Sequence, residues 1–86
     1  MSVLAKRPDR FTETEIDDEV IVMRLDTGEF FSMTDTAAAT WRLIDGSRDR
    51  AGLLRALVDE YGVKEAKIAA EIDTFLVELR SAGLVS

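Results

Sequence analysis

The chain has 86 residues, 47% hydrophobic and 33% charged, with a net charge of −6. That length and mixture describe one folded domain with a small core and exclude a disordered chain. Neither cysteine nor histidine occurs, which removes disulfides, thiolate chemistry, the commonest general base and the usual soft metal ligands.

Residues 1–10 read as a flexible arm carrying Pro8, the sole proline. Its apolar run is too short for a signal peptide or a membrane span, so no membrane is expected, and the absence of cysteine suits a reducing cytoplasm. Residues 11–86 form the domain. Phe11–Ile16 reads as a first strand with polar positions facing water. Asp17-Asp18 is a two-residue turn, since Asp tolerates the left-handed backbone that tight hairpins need. Residues 19–25 form a second strand, β-branched and apolar on both faces, which suits the centre of a sheet. Asp26-Thr27-Gly28 closes another hairpin. Residues 29–33 make a third strand, with Phe31 and Met33 on one face and Phe30 and Ser32 on the other.

Thr34 or Asp35 can cap a first helix, which carries Ala37, Trp41 and Ile44 at helical spacing and stops at Gly46. Ser47 or Asp49 can cap a second, whose stripe is Leu53, Leu54, Leu57, Val58 and Tyr61, ended by Gly62. Residues 64–82 form a third helix with Ile68, Ile72, Phe75, Leu76 and Leu79 on one side. Gly83 ends it, and Leu84-Val85 return to the core. The expected fold class is α+β and winged-helix-like, a three-stranded antiparallel sheet followed by three helices. Hairpin connections give the strand order 1-2-3 and leave the first and third strands as edges.

Three function classes compete. For catalysis the candidates are carboxylates, Glu13 with Glu15 and the Asp17-Asp18-Glu19 cluster, which read as solvated turn and strand positions. No segment has the alternating oxygen ligands of a calcium loop. No enzyme, metal or cofactor is expected. A small winged-helix DNA-binding regulator is the alternative, because that class shares the element order. A duplex reader needs clustered cations. The third helix instead sets Lys64, Lys67 and Arg80 against Glu65, Glu71, Asp73 and Glu78. Asp45 and Asp49 interrupt the cluster Arg42, Arg48, Arg50 and Arg55. Nucleic acid is therefore not expected as a partner. Residues 9–35 hold nine acids against Arg10 and Arg24, a field that serves solubility and edge protection or favours a partner with lysine or arginine.

The remaining class is polypeptide recognition. An edge strand shows unpaired backbone groups, and Glu29, Phe30, Phe31, Ser32 and Met33 defend theirs with one charge and no proline. The third helix would form the other wall of a groove, so an added peptide strand gains both main-chain bonds and side-chain pockets. Phe31 and Met33 also read as core. Phe30 points away from that core, to cover the back of the sheet, meet a dimer mate or line the peptide's path. Trp41 reads as a core anchor.

The run Asp26-Thr27-Gly28-Glu29-Phe30-Phe31-Ser32-Met33-Thr34 and the segment Trp41-Arg42-Leu43-Ile44-Asp45-Gly46 resemble the PqqD-like recognition elements of ribosomally made, modified peptides. So do the Leu-rich stretch from Leu53 to Tyr61 and the ending from Ile72 to Val85. The resemblance covers residues 11–85. It implies a non-enzymatic adaptor that binds the leader of a precursor peptide and delivers it to a modifying enzyme. It also implies docking of the leader as an extra antiparallel strand on Glu29, Phe30, Phe31, Ser32 and Met33. The helix wall would then be Lys67, Ile68, Glu71, Ile72 and Phe75, with Glu71 standing where the family usually shows Asp. The implied partners are the leader and a maturation enzyme, such as the leader peptidase and cyclase of lasso-peptide pathways or a radical-SAM enzyme. The chain is expected to be a free-standing adaptor, a monomer or weak homodimer.

Overall fold

The computed structural model describes residues 3–62 and 64–86. Two hairpins set the sheet. β1 (Phe11–Ile16) pairs antiparallel with β2 (Glu19–Arg24), which pairs antiparallel with β3 (Phe30–Met33), in the order β1-β2-β3. In the first turn Asp17 adopts a positive φ of 56°, as its short polar side chain allows. Leu25 and Glu29, read as strand residues, fall in the second turn. Arg24 N–H donates to the Glu29 carbonyl, while its own carbonyl takes the Gly28 N–H, each at 2.9 Å. The ladder breaks there because Gly28 turns at φ 75°, which costs a glycine nothing sterically.

Alternation along the strands sorts the two sheet faces. Phe11, Val20, Val22 and Met33 are buried under the helices, whereas Phe30 is 67% exposed on the opposite face. α1 (Asp35–Leu43), α2 (Arg50–Tyr61) and α3 (Glu65–Ser81) form the second layer. Trp41 is fully buried and meets Phe11 edge-on at 5.2 Å between ring centres, a favoured aromatic geometry. Leu53, Leu54, Leu57, Ile68, Ile72, Leu76, Leu79, Leu84 and Val85 complete the core. No described helix is long and apolar enough to cross a membrane.

The helix ends depart from the sequence expectation in detail. Thr34 occupies the cap position of α1 but makes no side-chain cap bond, and its backbone carbonyl accepts from Ala37 and Ala38 instead. Asp35 stands at φ 50°. α1 ends at Leu43, and Ile44 turns extended so that its side chain enters the core, leaving Gly46 beyond the helix rather than at its stop. Of the two candidates for the second cap, Asp49 does it, taking the Gly52 N–H at 2.9 Å, while the Ser47 hydroxyl donates to Asp45. Tyr61 is 48% exposed and outside the buried stripe. Lys64 and Ala82 flank α3 rather than belong to it.

Residues 3–10, expected as a flexible arm, lie against the body. Leu4 is 2% exposed in the core, and its backbone pairs with Arg48 on one side of the path while Lys6 bridges to Val85. The physical reason is burial of one leucine together with satisfied backbone polar groups along the strap. Met1 and Ser2, the first residues of that arm, lie outside the described residues.

Candidate functional site

Antiparallel pairs alternate between those that exchange hydrogen bonds and those that do not. Arg24 and Glu29 are bonded across the second hairpin. The register therefore makes Val22–Phe31 and Val20–Met33 bonded pairs, and Met23–Phe30 and Ile21–Ser32 non-bonded ones. The N–H and C=O groups of Phe30 and Ser32 consequently point away from β2, toward the open side of the sheet.

The two edges are defended differently. On β1 the same reasoning, anchored by Leu25 N–H donating to the Arg10 carbonyl at 3.0 Å, turns the backbones of Phe11, Glu13 and Glu15 outward. Two glutamates stand on that edge, and the Arg42 guanidinium of α1 reaches Glu15 Oε1 from Nη2 at 2.6 Å. Lys6 from the strap sits 4.5 Å from the centre of the Trp41 ring. Burial pushes the Lys6 ammonium pKa down, against the attraction of Glu13, Asp45 and Glu15, which raises it. Charges and a covering segment are the usual ways a sheet edge is blocked. Among the described residues β3 has neither: its exposed residues are Phe30 and Ser32, and the Ser32 hydroxyl donates to the Glu19 carboxylate on the neighbouring strand.

Beside β3 runs a cleft of about 340 Å³, lined by Arg24, Glu29, Phe31, Val77, Glu78, Ser81 and Ala82. Phe31 is half-buried at its sheet wall and Ala82 buried at its helix wall. Arg24 is already engaged. It forks onto Asp26 through Nε and Nη2 at 3.1 and 2.8 Å, and lies 3.5 Å from Glu29. The guanidinium's hydrogen bonds hold the Asp26 carboxyl below its ordinary range.

The candidate residues from the sequence take distinct places. Glu29 is exposed at the rim, Phe30 lies on the outer face, Phe31 is in the cleft, Ser32 is on the open edge and Met33 is in the core. On α3, Ile68 and Ile72 are buried at 4% and 2% exposure, Phe75 is packed half-buried against the core, and Lys67 and Glu71 are exposed. The row Glu71, Phe75, Glu78 and Ala82 repeats at helical spacing along one flank. Its last two members line the cleft with Val77 and Ser81. Sequence reasoning stopped that row at Phe75. The i, i+4, i+7, i+11 spacing puts Glu78 and Ala82 on the flank of Phe75, but only the way α3 lies across the sheet brings that flank to the cleft.

The arginines that suggested a basic patch are largely neutralised: Arg42 on Glu15, Arg48 on Asp45 at 2.8 Å and Arg50 on Asp73 at 2.5 Å. Among the described residues no cluster of acidic side chains has the arrangement of a metal site.

Comparison with known structures finds two that superpose over nearly the full chain. One, described as TbiB1 in complex with the TbiA(beta) leader peptide, is 26% identical with a TM-score of 0.82, covering 94% of each chain. The other, described as lasso peptide synthetase B1 complexed with the leader peptide, shares the fold at 20% identity and a TM-score of 0.80, covering 96% of each chain. Comparison with curated proteins gives no match of the required significance. The profile of Coenzyme PQQ synthesis protein D (PqqD) matches residues 19–85. A three-stranded sheet with one undefended edge, three helices behind it and this profile match make the chain a member of the PqqD family.

Proposed function

We propose that this domain binds the leader segment of a ribosomally made precursor peptide and presents it to a maturation enzyme, a leader peptidase with its cyclase or a radical-SAM enzyme. The leader adds as a strand to β3, antiparallel, and its inward side chains enter the cleft against α3. The domain performs no chemistry itself and works in the cytoplasm as a monomer or weak dimer. The observation that carries this reading is the open hydrogen-bonding side of Phe30 and Ser32 next to an apolar-floored cleft. Support comes from the two similar structures, each described as a leader-peptide complex.

Strand addition gains main-chain bonds along the edge, and each buried leader side chain contributes roughly 1.5–3 kcal/mol before ordering and association costs. The expected dissociation constant is near or below the micromolar range, on the order of −8 kcal/mol. The test is calorimetric titration with a synthetic leader peptide taken from any short precursor encoded next to this chain. Saturable binding that Ser32→Pro abolishes supports the reading, and binding indifferent to that change contradicts it.

A further inference from the structure

Resting on the leader-binding reading, we propose that the cleft between β3 and the C-terminal half of α3 selects a leader residue with a long cationic side chain, lysine or arginine, held by Glu78 and Glu29. The backbone groups free for a partner strand are those of Phe30 and Ser32. In an antiparallel pairing, leader residues opposite Glu29 and Phe31 therefore fall in non-bonded pairs, where side chains come closest. Alternation points those side chains to the helix side, into the cleft.

The cleft suits an aliphatic stem with a charged head. Phe31, Val77 and Ala82 give it an apolar lining, and Glu29, Glu78 and Ser81 a polar one. Lysine and arginine lay their methylenes on such surfaces while the head stays at the polar margin. Glu78 is exposed and forms no ion pair among the described residues. The cation lining the cleft, Arg24, is forked onto Asp26 and close to Glu29. An acidic leader residue would have to displace that bidentate pair, whereas a basic one meets an unengaged carboxylate. The wider field agrees, since residues 9–35 carry nine acids against two arginines and draw in positive charge.

A positional-scanning library of N-acetylated, C-amidated ten-residue peptides tests this at low salt. Wild type is expected to favour lysine and arginine over norleucine at one register position by about three- to tenfold, the range of an exposed to partly desolvated charge pair. Glu78→Gln should weaken that preference, and Glu78→Lys should turn it toward aspartate and glutamate at the same position. A lysine preference unchanged by Glu78→Lys, or no charge preference in wild type, overturns the assignment. If peptides are retained by wild type and lost with Ser32→Pro in that case, strand addition stands without it. Equal retention by wild type and Ser32→Pro overturns strand addition, and the cationic pocket falls with it.

Discussion

Ser32 stands opposite Ile21 in a pair that exchanges no hydrogen bonds, so its N–H and C=O are turned out of the sheet. Its neighbour Phe31 is bonded inward to Val22 by the same alternation. Proline at the two positions should therefore act in opposite ways. Ser32→Pro removes a donor that the folded sheet does not use, and a leader's affinity is expected to fall at least about tenfold with the fold retained. Phe31→Pro removes a ladder bond and takes a half-buried ring off the core, so it should lower the melting temperature clearly. Ser32→Ala, which loses only the hydroxyl bonded to Glu19, is the control and should bind nearly as wild type. Calorimetry and thermal melts read both quantities.

Leu4 gives a separate test of the strap. Its side chain is 2% exposed among core residues, and Leu→Ala at such sites costs about 2–5 kcal/mol. In a domain of this size that is a large share of the total stability. Urea unfolding of Leu4→Ala should show a clearly lower midpoint with an unchanged slope. A midpoint equal to wild type would show that residues 3–10 do not pack in solution.

The contrast between Ser32 and Leu4 shows what was legible in the chain. Strict alternation over Phe30, Phe31, Ser32 and Met33 placed each side chain on its observed face, and two short hairpins left little choice of strand order. The amphipathic period of the third helix likewise picked out Ile68, Ile72, Leu76 and Leu79 as its buried stripe. Period alone says nothing about which flank of that stripe meets the sheet edge, so Glu78 and Ala82 were not foreseen at the cleft. That choice is made by how α3 lies across the sheet. Leu4 is one apolar residue in a polar segment, and a single residue has no period to read. Thr34 has the right chemistry for a cap, yet the backbone reaches α1 through Asp35 at φ 50° and the hydroxyl finds no N–H there.

Arg50 ties α2 to α3 through Asp73, with Nε and Nη2 donating at 2.5 and 2.9 Å. Those bonds hold the Asp73 carboxyl below its ordinary value of 3.8. Because the folded pKa lies under the unfolded one, the stabilisation is complete above the unfolded value and vanishes as pH falls through the folded one. Asp73→Asn should melt lower than wild type near neutral pH, and the two melting temperatures should converge in acid. The pair is half exposed, so the gap should shrink in high salt. A gap that persists at low pH would assign the effect to something other than the charge.

Duplex DNA supplies the discriminating negative. With Arg42, Arg48 and Arg50 each paired to a carboxylate, only Arg55 of that basic cluster stands outside an ion pair among the described residues, and one arginine does not make a phosphate-binding surface. Titration with random duplex at low salt should show no binding in a polarisation assay, the condition under which phosphate attraction is strongest. Tight, salt-sensitive binding would revive the regulator reading.

The account turns on whether a foreign strand bonds to β3. Backbone amide spectra of the labelled protein, recorded with and without a synthetic leader, address that at single residues. Phe30 and Ser32 amides should shift on addition and then exchange slowly with solvent, while Glu13 and Glu15 on the opposite edge stay unchanged. Saturable leader binding with the Phe30 and Ser32 amides unmoved and still exchanging freely would contradict it.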